Sequence, residues 1–563
     1  MTNINRALHR ATQFWCNSHQ QRFVKATQDV QTVQKNALQR ILSKSGDAIA
    51  HTGSSLSPTM NWKDFANDIP ISNYDSWKPW IASDRDNGLQ ALTSSPTERF
   101  QPTSGSTSAV KWIPYSQDFL AEINCALMAW IGDIYQSTPG INRGYHYWSV
   151  SWIPTSLRGD VDENVNDDLK VLPWWKRWIA GQYMAVPDTV AQAKSSEDTL
   201  FASLAWLLSR RDLTMLSVWS PTFALSLFEQ IIEHRDELID VLHRGHWLDR
   251  SASLEKTRCP SSASTAALLK SLGNTVDTEF LNRLWPDLAL ISSWDTASSK
   301  IWADKLQHLF PNAAFQGKGL WATEGVVTIP FGDRYPLSVN SHYYEFLDLS
   351  SNDVVPAWKL EKGMEVSPLL TTGSGFLRYK LNDKLVVDGF LNQCPCFEFR
   401  GRLDGTDLAG EKISAETSQS IITQFTKEFS VTPVSLVAIP GNHWQQVVPN
   451  DSRGCYVLLC EPSHNQMPNE RVLSTALEQE LQKNFHYQLA RELKQIAPAK
   501  IVISNNASDF YMYRCLQRGM AKGNIKIEPL VLWNTGLPDA FVYALRQQCQ
   551  SVPLLSPEDV VTL

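Results

Sequence analysis

A run of small hydroxylated residues, Thr103-Ser104-Gly105-Ser106-Thr107-Ser108, followed by Lys111, is the stretch whose composition points most directly to chemistry. Its side chains are hydroxyls or a bare hydrogen, so the backbone can approach an anion and turn N–H groups toward it. Lys111 adds a point charge. Residues 116–136 then carry apolar side chains at helical spacing (Phe119, Ile123, Leu127, Trp130, Ile131, Ile134), with Ser116 placed as an N-cap and Asp118 in the first turn. A phosphate in the loop is therefore expected at a helix N-terminus. By composition alone the same tract reads as a flexible linker, and the Gly-Lys-Ser/Thr spacing of nucleoside-triphosphatase loops is absent. Two later carboxylates give it meaning. Glu324 offers a hard oxygen for Mg²⁺, and Asp383 a bidentate acceptor suited to vicinal sugar hydroxyls. Each acid alone reads as a turn or cap residue; the ordered set describes an ATP site.

The elements that position these groups need more than one domain, since 563 residues exceed one ordinary core. Hydrophobic residues at 43% and charged residues at 19% describe an ordered globular protein. A formal charge of −7 argues against general nucleic-acid binding, which needs a basic surface. The nine cysteines are an odd, scattered set without metal-ligand spacing, the usage of a reducing compartment. Cys394 and Cys396 read as structural, and so do His243 and His246 on either side of Gly245. The N-terminus has no apolar run of signal-peptide length, so a cytoplasmic protein is expected. Residues 213–232 are the most lipophilic window; Ser217, Ser220, Pro221 and Glu229 within it predict a buried helix pair, not a membrane span. Of the 21 tryptophans, Trp148, Trp152, Trp174, Trp175 and Trp178 fall in one region, as core or as an aromatic-walled pocket.

Residues 1–50 are expected to be helical on the stripe Val33, Leu38, Ile41 and Leu42. Alternation of Tyr145, Tyr147, Ser149 and Ser151 with His146, Trp148, Val150 and Trp152 predicts a strand. Helical spacing returns over 201–208, on Phe228, Ile231, Ile232, Leu238 and Leu242 up to Gly245, and over 264–310, with Pro221 as a break. The β-branched run within 320–331 predicts a buried strand starting after Thr323-Glu324-Gly325. Residues 343–349, 366–372, 375–381 and 384–390 read as a meander of strands. Residues 406–563 look like a separate small α/β domain, with strands at 434–439, 454–460, 499–504 and 525–532 and helices at 470–496 and 508–518. The joint at 400–412, RGRLDGTDLAGEK, is rich in glycine and charge.

Four motifs in order, SGSTSAVKWIP, LWATEG followed by Tyr344-Glu345-Phe346, LLTTGSGFLRYKLNDKLVVDGF and FEFRGRLDGTDLAGEKIS, resemble the adenylate-forming superfamily. More narrowly, the chain is similar to the Gretchen Hagen (auxin-responsive promoter) family of acyl-acid amido synthetases, bacterial type, from residues 69–81 through the C-terminal QRGMAKGNIKIEPLV. The resemblance implies an α/β fold: a large N-terminal adenylate-forming domain with mixed β-sheets and helices over residues 1–403, and a small mobile C-terminal α/β lid domain over 404–563, hinged near 400–412. Carried over residue by residue, it makes Ser104, Gly105, Ser106, Thr107 and Lys111 the triphosphate loop. Thr323 would touch the α-phosphate, Glu324 the Mg²⁺, and Asp383 the ribose hydroxyls, with Arg402 reaching the same region. Lys526 aligns with the lysine that the family's C-terminal domain brings over the adenylate. Trp130, Trp219 and Phe223 become walls of the acyl-acid pocket, although each taken singly reads first as core. The chain departs from the family at Ser106, Ser108, Lys380 and Asn382; since Asn tolerates positive φ, the turn at Asn382 is expected to survive its loss of glycine.

The implied reaction is an ATP- and Mg²⁺-dependent ligation. A carboxylate has no usable leaving group toward an amine. Transfer of AMP onto it, with loss of pyrophosphate, makes a mixed anhydride; attack by an amine, an amino acid or a related compound, then gives amide and AMP. Lys111 and the loop's backbone donors would neutralise the developing charge. The partners implied are a carboxylic acid and an amine, with neither nucleic acid nor membrane. A thioester-forming ligase would share the first half-reaction and use coenzyme A or a carrier thiol. A binding protein that kept the fold without turnover would not need Lys111, Glu324 and Asp383 intact.

Overall fold

The computed structural model describes residues 3–46, 48–51, 56–102, 111–149, 179–296, 299–403, 405–406, 408–409, 411, 413–463, 469–492, 494–518, 520 and 525–550. They form two compact units, one drawn from Met1–Arg400 and the other from Gly401–Met520 with Ile525–Leu563.

The first unit opens with helices Asn3–Ala26 and Val30–Ser45. Asp29 separates them by accepting the Thr32 N–H as an N-cap, and Leu38, Ile41 and Leu42 of the expected stripe are buried. Helix Tyr74–Asn87 starts in a capping box between Asn73 and Ser76 and ends on Gly88 at φ +66°. Strands β1 (Thr97–Pro102) and β2 (Trp112–Ser116) then pair antiparallel. Helix Gln117–Ser137 follows at once, with Ser116 Oγ accepting the Phe119 N–H at 3.2 Å, as its sequence demands. All of β2, five residues or about 16 Å at strand rise, separates Lys111 from the helix start.

Strands β3 (Tyr145–Trp148), β4 (Leu213–Ser217), β5 (Leu290–Ser292) and β6 (Ala314–Gln316) form a parallel sheet in that order. β4 corrects the expected helix pair at 213–232: all five of its residues are buried, and a short strand covered on both faces lacks the alternation that would distinguish it. Only the second half is helix, Pro221–Glu233, with Pro221 in the first turn, where its missing N–H costs nothing. Likewise 264–310 includes β5 among its helices. The single strand expected after Gly325 is instead a two-residue hairpin, β7 (Trp321–Ala322) with β8 (Gly325–Val326). Beyond it the backbone turns to isolated bridges, Thr328 with Leu337 and Phe331 with Arg334, around Pro330, which lacks an N–H.

Strands β9 (Tyr343–Asp348), β10 (Val354–Pro356), β11 (Glu365–Thr371), β12 (Tyr379–Lys380), β13 (Asp383–Leu391) and β14 (Cys394–Arg402) build the meander, in the order β10-β9-β11-β13-β14 with β12 beside β11. Residues 375–381 keep only β12, because Gly375 and Arg378 take φ of +91° and +47°. Asn382 has no positive φ, so the turn expected there falls on Arg378 instead. That non-glycine residue is held by its own guanidinium, buried and bonded to Glu345 at 2.9 Å and to the Ala66 and Ile69 carbonyls at 2.7 and 2.5 Å.

The second unit contains β15 (Gly405–Thr406), β16 (Ile413–Ser414), β17 (Val431–Ile439), β18 (Cys455–Pro462), β19 (Lys500–Ile503) and β20 (Leu530–Leu532). The last four form one sheet in the order β19-β18-β17-β20. The helix expected over 470–496 is two, Glu470–Gln482 and Phe485–Glu492, and the strand expected at 525–532 is only β20. Among the described residues no helix is long and apolar enough to cross a membrane. All nine cysteines are free.

Two buried imidazoles tie the opening helix to the rest of the first unit. His9 Nε2 donates to the Gly144 carbonyl at 3.0 Å, leaving Nδ1 to accept from the Tyr135 hydroxyl at 2.7 Å. His146 on β3 donates from Nε2 to the Ile141 carbonyl at 2.8 Å. Burial lowers His9 from 6.5 to about 4, and burial together with His9 lowers His146 to about 3. An unfolded chain therefore binds these protons first: the contribution is complete above pH 6.5 and is lost as pH falls toward 4. Each ring should cost about 2 kcal/mol of stability at pH 5 relative to pH 7.5. Thermal melts across this range should show the fall, and His146→Gln should flatten it.

Candidate active site

A polar cavity of about 290 Å³ lies where three segments of the first unit meet, lined by Ser72, Asn73, Tyr74, Lys111, Lys380 and Asn382 among others. Lys111 is the first described residue after the hydroxyl run, at the root of β2; its ammonium sits 5.6 Å from the Tyr74 ring centroid. The Tyr74 hydroxyl accepts the Trp112 N–H at 2.9 Å. Burial raises the Tyr74 pKa, the Trp112 N–H lowers it, and the charge of Glu324 adds to the rise. Asn73 caps helix Tyr74–Asn87, so two lysines and a helix N-terminus border one cavity. That combination suits a polyanion. The sequence signal for this helix start is the capping box at Asn73 and Ser76.

Tyr379 also lines the cavity and donates to Glu324 Oε1 at 3.3 Å. Thr323 and Glu324 occupy the turn between β7 and β8, where the Tyr115 hydroxyl donates to the Thr323 carbonyl at 3.2 Å. Asp383 begins β13 directly after Asn382. Lys111 and Glu324, separated by long stretches of sequence, are thus both brought to Tyr74 and Tyr379, with Asp383 next in sequence to the cavity residue Asn382. Among the described residues no three His, Cys, Asp or Glu side chains could hold a metal alone. A single half-buried carboxylate such as Glu324 does fit Mg²⁺ that arrives with phosphate oxygens and water.

Ser104, Gly105, Ser106 and Thr107 are outside the described residues. Arg402 and Lys526 belong to the second unit, where Arg402 pairs with Glu528 at 3.5 Å and the Lys526 carbonyl accepts from Tyr511 at 3.0 Å. Trp130 is buried and donates to Gln316 Oε1 at 2.8 Å. Trp219 is half-buried between Trp294 and Trp321, at centroid distances of 5.7 and 6.1 Å. Phe223 is packed in the core under helix Pro221–Glu233.

Sequence reading missed Lys318. It is 3% exposed, its ammonium 2.7 Å from Ser217 Oγ and 4.9 Å from the ring centroids of both Trp130 and Trp219. Ser217 and Gln316 end strands β4 and β6, and the carboxyl ends of parallel strands are where such sheets open a ligand crevice. Its signal was a lysine between two glycines just before LWATEG. Gly319 takes φ +71°, and a Cβ on Gly317 would lie 2.1 Å from the Tyr335 hydroxyl.

The architecture is that of an acyl-acid amido synthetase, an adenylate-forming fold with a C-terminal domain. A solved acyl acid amido synthetase, AtGH3.15 in complex with 2,4-DB, superposes with a TM-score of 0.76 at 18% identity, over 95% of this chain and 96% of that one. Residues 19–315, 335–402 and 426–535 match, in order, the GH3 family N-terminal, central and C-terminal domains, and the chain belongs to the GH3 family. Among curated relatives, the indole-3-acetic acid-amido synthetase GH3.3 of Arabidopsis thaliana is 22% identical over 89% of each chain. The 4-substituted benzoates-glutamate ligase GH3.12 of the same plant is 21% identical over 66% of this chain and 69% of its own.

If the cavity takes phosphates, Lys111→Ala should weaken ATP binding by about tenfold or more, since charge-assisted contacts are the strong ones. Lys380→Ala should have a smaller effect. Calorimetry with ATP reads both, and unchanged affinity in both variants would remove the cavity from consideration.

Proposed function

We propose that this chain uses ATP to adenylate an aromatic or otherwise apolar carboxylic acid and passes the acyl group to an amine such as an amino acid, releasing pyrophosphate and AMP. As a GH3-family ligase it forms an amide bond. The approach of Lys111, Lys380 and Glu324 to one cavity walled by Tyr74 and Tyr379 supports this reading for the adenylation half. Lys111 and Lys380 neutralise the triphosphate as pyrophosphate departs, and the hydroxyl run from Ser104 to Thr107 adds backbone donors. Thr323 holds the α-phosphate and Asp383 the ribose. Glu324 holds Mg²⁺, which supplies Lewis-acid charge at the phosphates when bound. Trp130, Trp219 and Lys318 line the acid's side of the sheet, with Phe223 behind them.

In this reading residues 1–403 hold ATP and the acid, and residues 404–563 close over them, turning on the joint at 400–412 to bring Lys526 and Arg402 to the adenylate. Gly401 supports such a joint: its φ is +108°, with no atom within 4 Å of where a Cβ would lie.

ATP–pyrophosphate exchange across a panel of acids, with neither amine nor thiol present, tests the first half-reaction. Exchange with at least one aromatic acid is expected. AMP release should then require an amine; release that requires coenzyme A instead would assign the thioester-forming alternative. Trp219→Ala should raise the KM for the acid roughly tenfold, the worth of an aromatic contact, with the KM for ATP unchanged. A rise in both would place Trp219 outside the acid site.

A further inference from the structure

The turn that carries Thr323 and Glu324 has a support beneath it that no motif describes. His342, directly before β9, is fully buried, and its Nε2 lies 3.1 Å from the Val326 backbone nitrogen. A backbone N–H can only donate, so Nε2 is unprotonated and the ring proton sits on Nδ1. From there it donates to Glu122 Oε2 at 2.7 Å, across 220 residues of sequence. The same oxygen accepts the Gly373 N–H at 2.9 Å, while Glu122 Oε1 accepts from Arg40 at 3.1 Å. Arg40 also donates to the Ser341 carbonyl at 2.7 Å, and Gln34 to the His342 carbonyl at 2.9 Å. Phe119 stacks on the imidazole at 5.5 Å between centroids, and a Cβ on Gly325 would come within 3.0 Å of Nε2. The ring is therefore fixed from all sides, and its one bond to the β7–β8 hairpin is two residues from Glu324.

We propose that His342 is a positioning residue for adenylation: it holds Val326 so that the turn aims Glu324 at the metal-bound phosphates, and Glu122 keeps the imidazole in the only tautomer that can do so. The proposal rests on reading Glu324 as the Mg²⁺ carboxylate. His342 does not touch Glu324 and takes no part in bond making. What it controls is placement, and misplacing a reacting group by about 1 Å costs on the order of 100-fold in rate.

Two substitutions separate placement from general stability. In His342→Gln the amide oxygen falls near the position of Nε2 and can still accept from Val326. In His342→Asn the amide nitrogen falls near Nδ1 and can still donate to Glu122, but the side chain cannot reach Val326. Calorimetry of ATP binding with and without Mg²⁺ is read beside exchange rates and melting temperatures. His342→Asn should lose the Mg²⁺-dependent part of ATP affinity and slow exchange by about 10- to 100-fold, with the KM for the acid unchanged. His342→Gln should retain more of both. Wild-type Mg²⁺ dependence in His342→Asn, or equal losses in both variants that follow melting temperature, would overturn the proposal. Should neither variant fold, Arg40→Gln at the half-exposed end of the network decides: a reduced Mg²⁺ dependence supports it and a wild-type one overturns it. Glu324→Gln distinguishes the two levels. If that variant keeps Mg²⁺-dependent affinity, the assignment of Glu324 fails and the proposal with it; if it loses that affinity while His342→Asn keeps it, only the role of His342 fails.

Discussion

Glu122 is 4% exposed and accepts hydrogen bonds from Arg40, His342 and Gly373, so one buried carboxylate joins the helices Val30–Ser45 and Gln117–Ser137 to the adjoining ends of the paired strands β9 and β11. A carboxylate out of water is costly unless each lone pair is met, and removal of a single partner leaves that cost uncompensated. The arrangement is therefore nearly all-or-none. Gln34 works beside it in the same way, buried and donating to the Val339 and His342 carbonyls while accepting the Tyr344 N–H. Through these groups the start of β9, the β7–β8 hairpin and the turn after β11 keep fixed places relative to the helix Gln117–Ser137.

The candidate site inherits its geometry from that frame. Glu324 sits on a hairpin of two-residue strands, which could not hold a direction by its own hydrogen bonds. Tyr115 and Tyr379 grip it from the site side, and His342 from the core side. Arg378 performs a similar service next door: its ion pair with Glu345 and its bonds to the Ala66 and Ile69 carbonyls place Tyr379 and Lys380 against the segment that opens helix Tyr74–Asn87. Rigid support under short irregular segments is what a site needs when its ligands come from four parts of the chain.

Local chemistry made part of this legible beforehand. Ser116 as a cap, Gly245 as a helix end and the turn-separated strands of the meander depend on neighbours within a few residues, and the structure has all three. The order of Lys111, Glu324 and Asp383 suggested nucleotide chemistry; of these, Lys111 lines the cavity and Glu324 accepts from Tyr379 on its wall. Between Lys111 and the helix Gln117–Ser137 lies β2, which the sequence reading left without a strand, because five residues rich in aromatics look in sequence like the approach to a helix. The buried strand β4 was read as helix for a related reason: apolar on both faces, it has no period.

By itself, then, the sequence determined where turns and caps fall, which runs alternate, and which chemically competent residues exist and in what order, since these follow from propensities and spacing within a turn or two. Only the tertiary structure decided that Lys111 faces the helix N-terminus at Asn73, that Lys318 sits against Trp130 and Trp219, and that His342 reaches Glu122. Those pairings are set by burial and by the need to satisfy every polar group that burial carries inside, and neither leaves a mark on the residues adjacent in the chain.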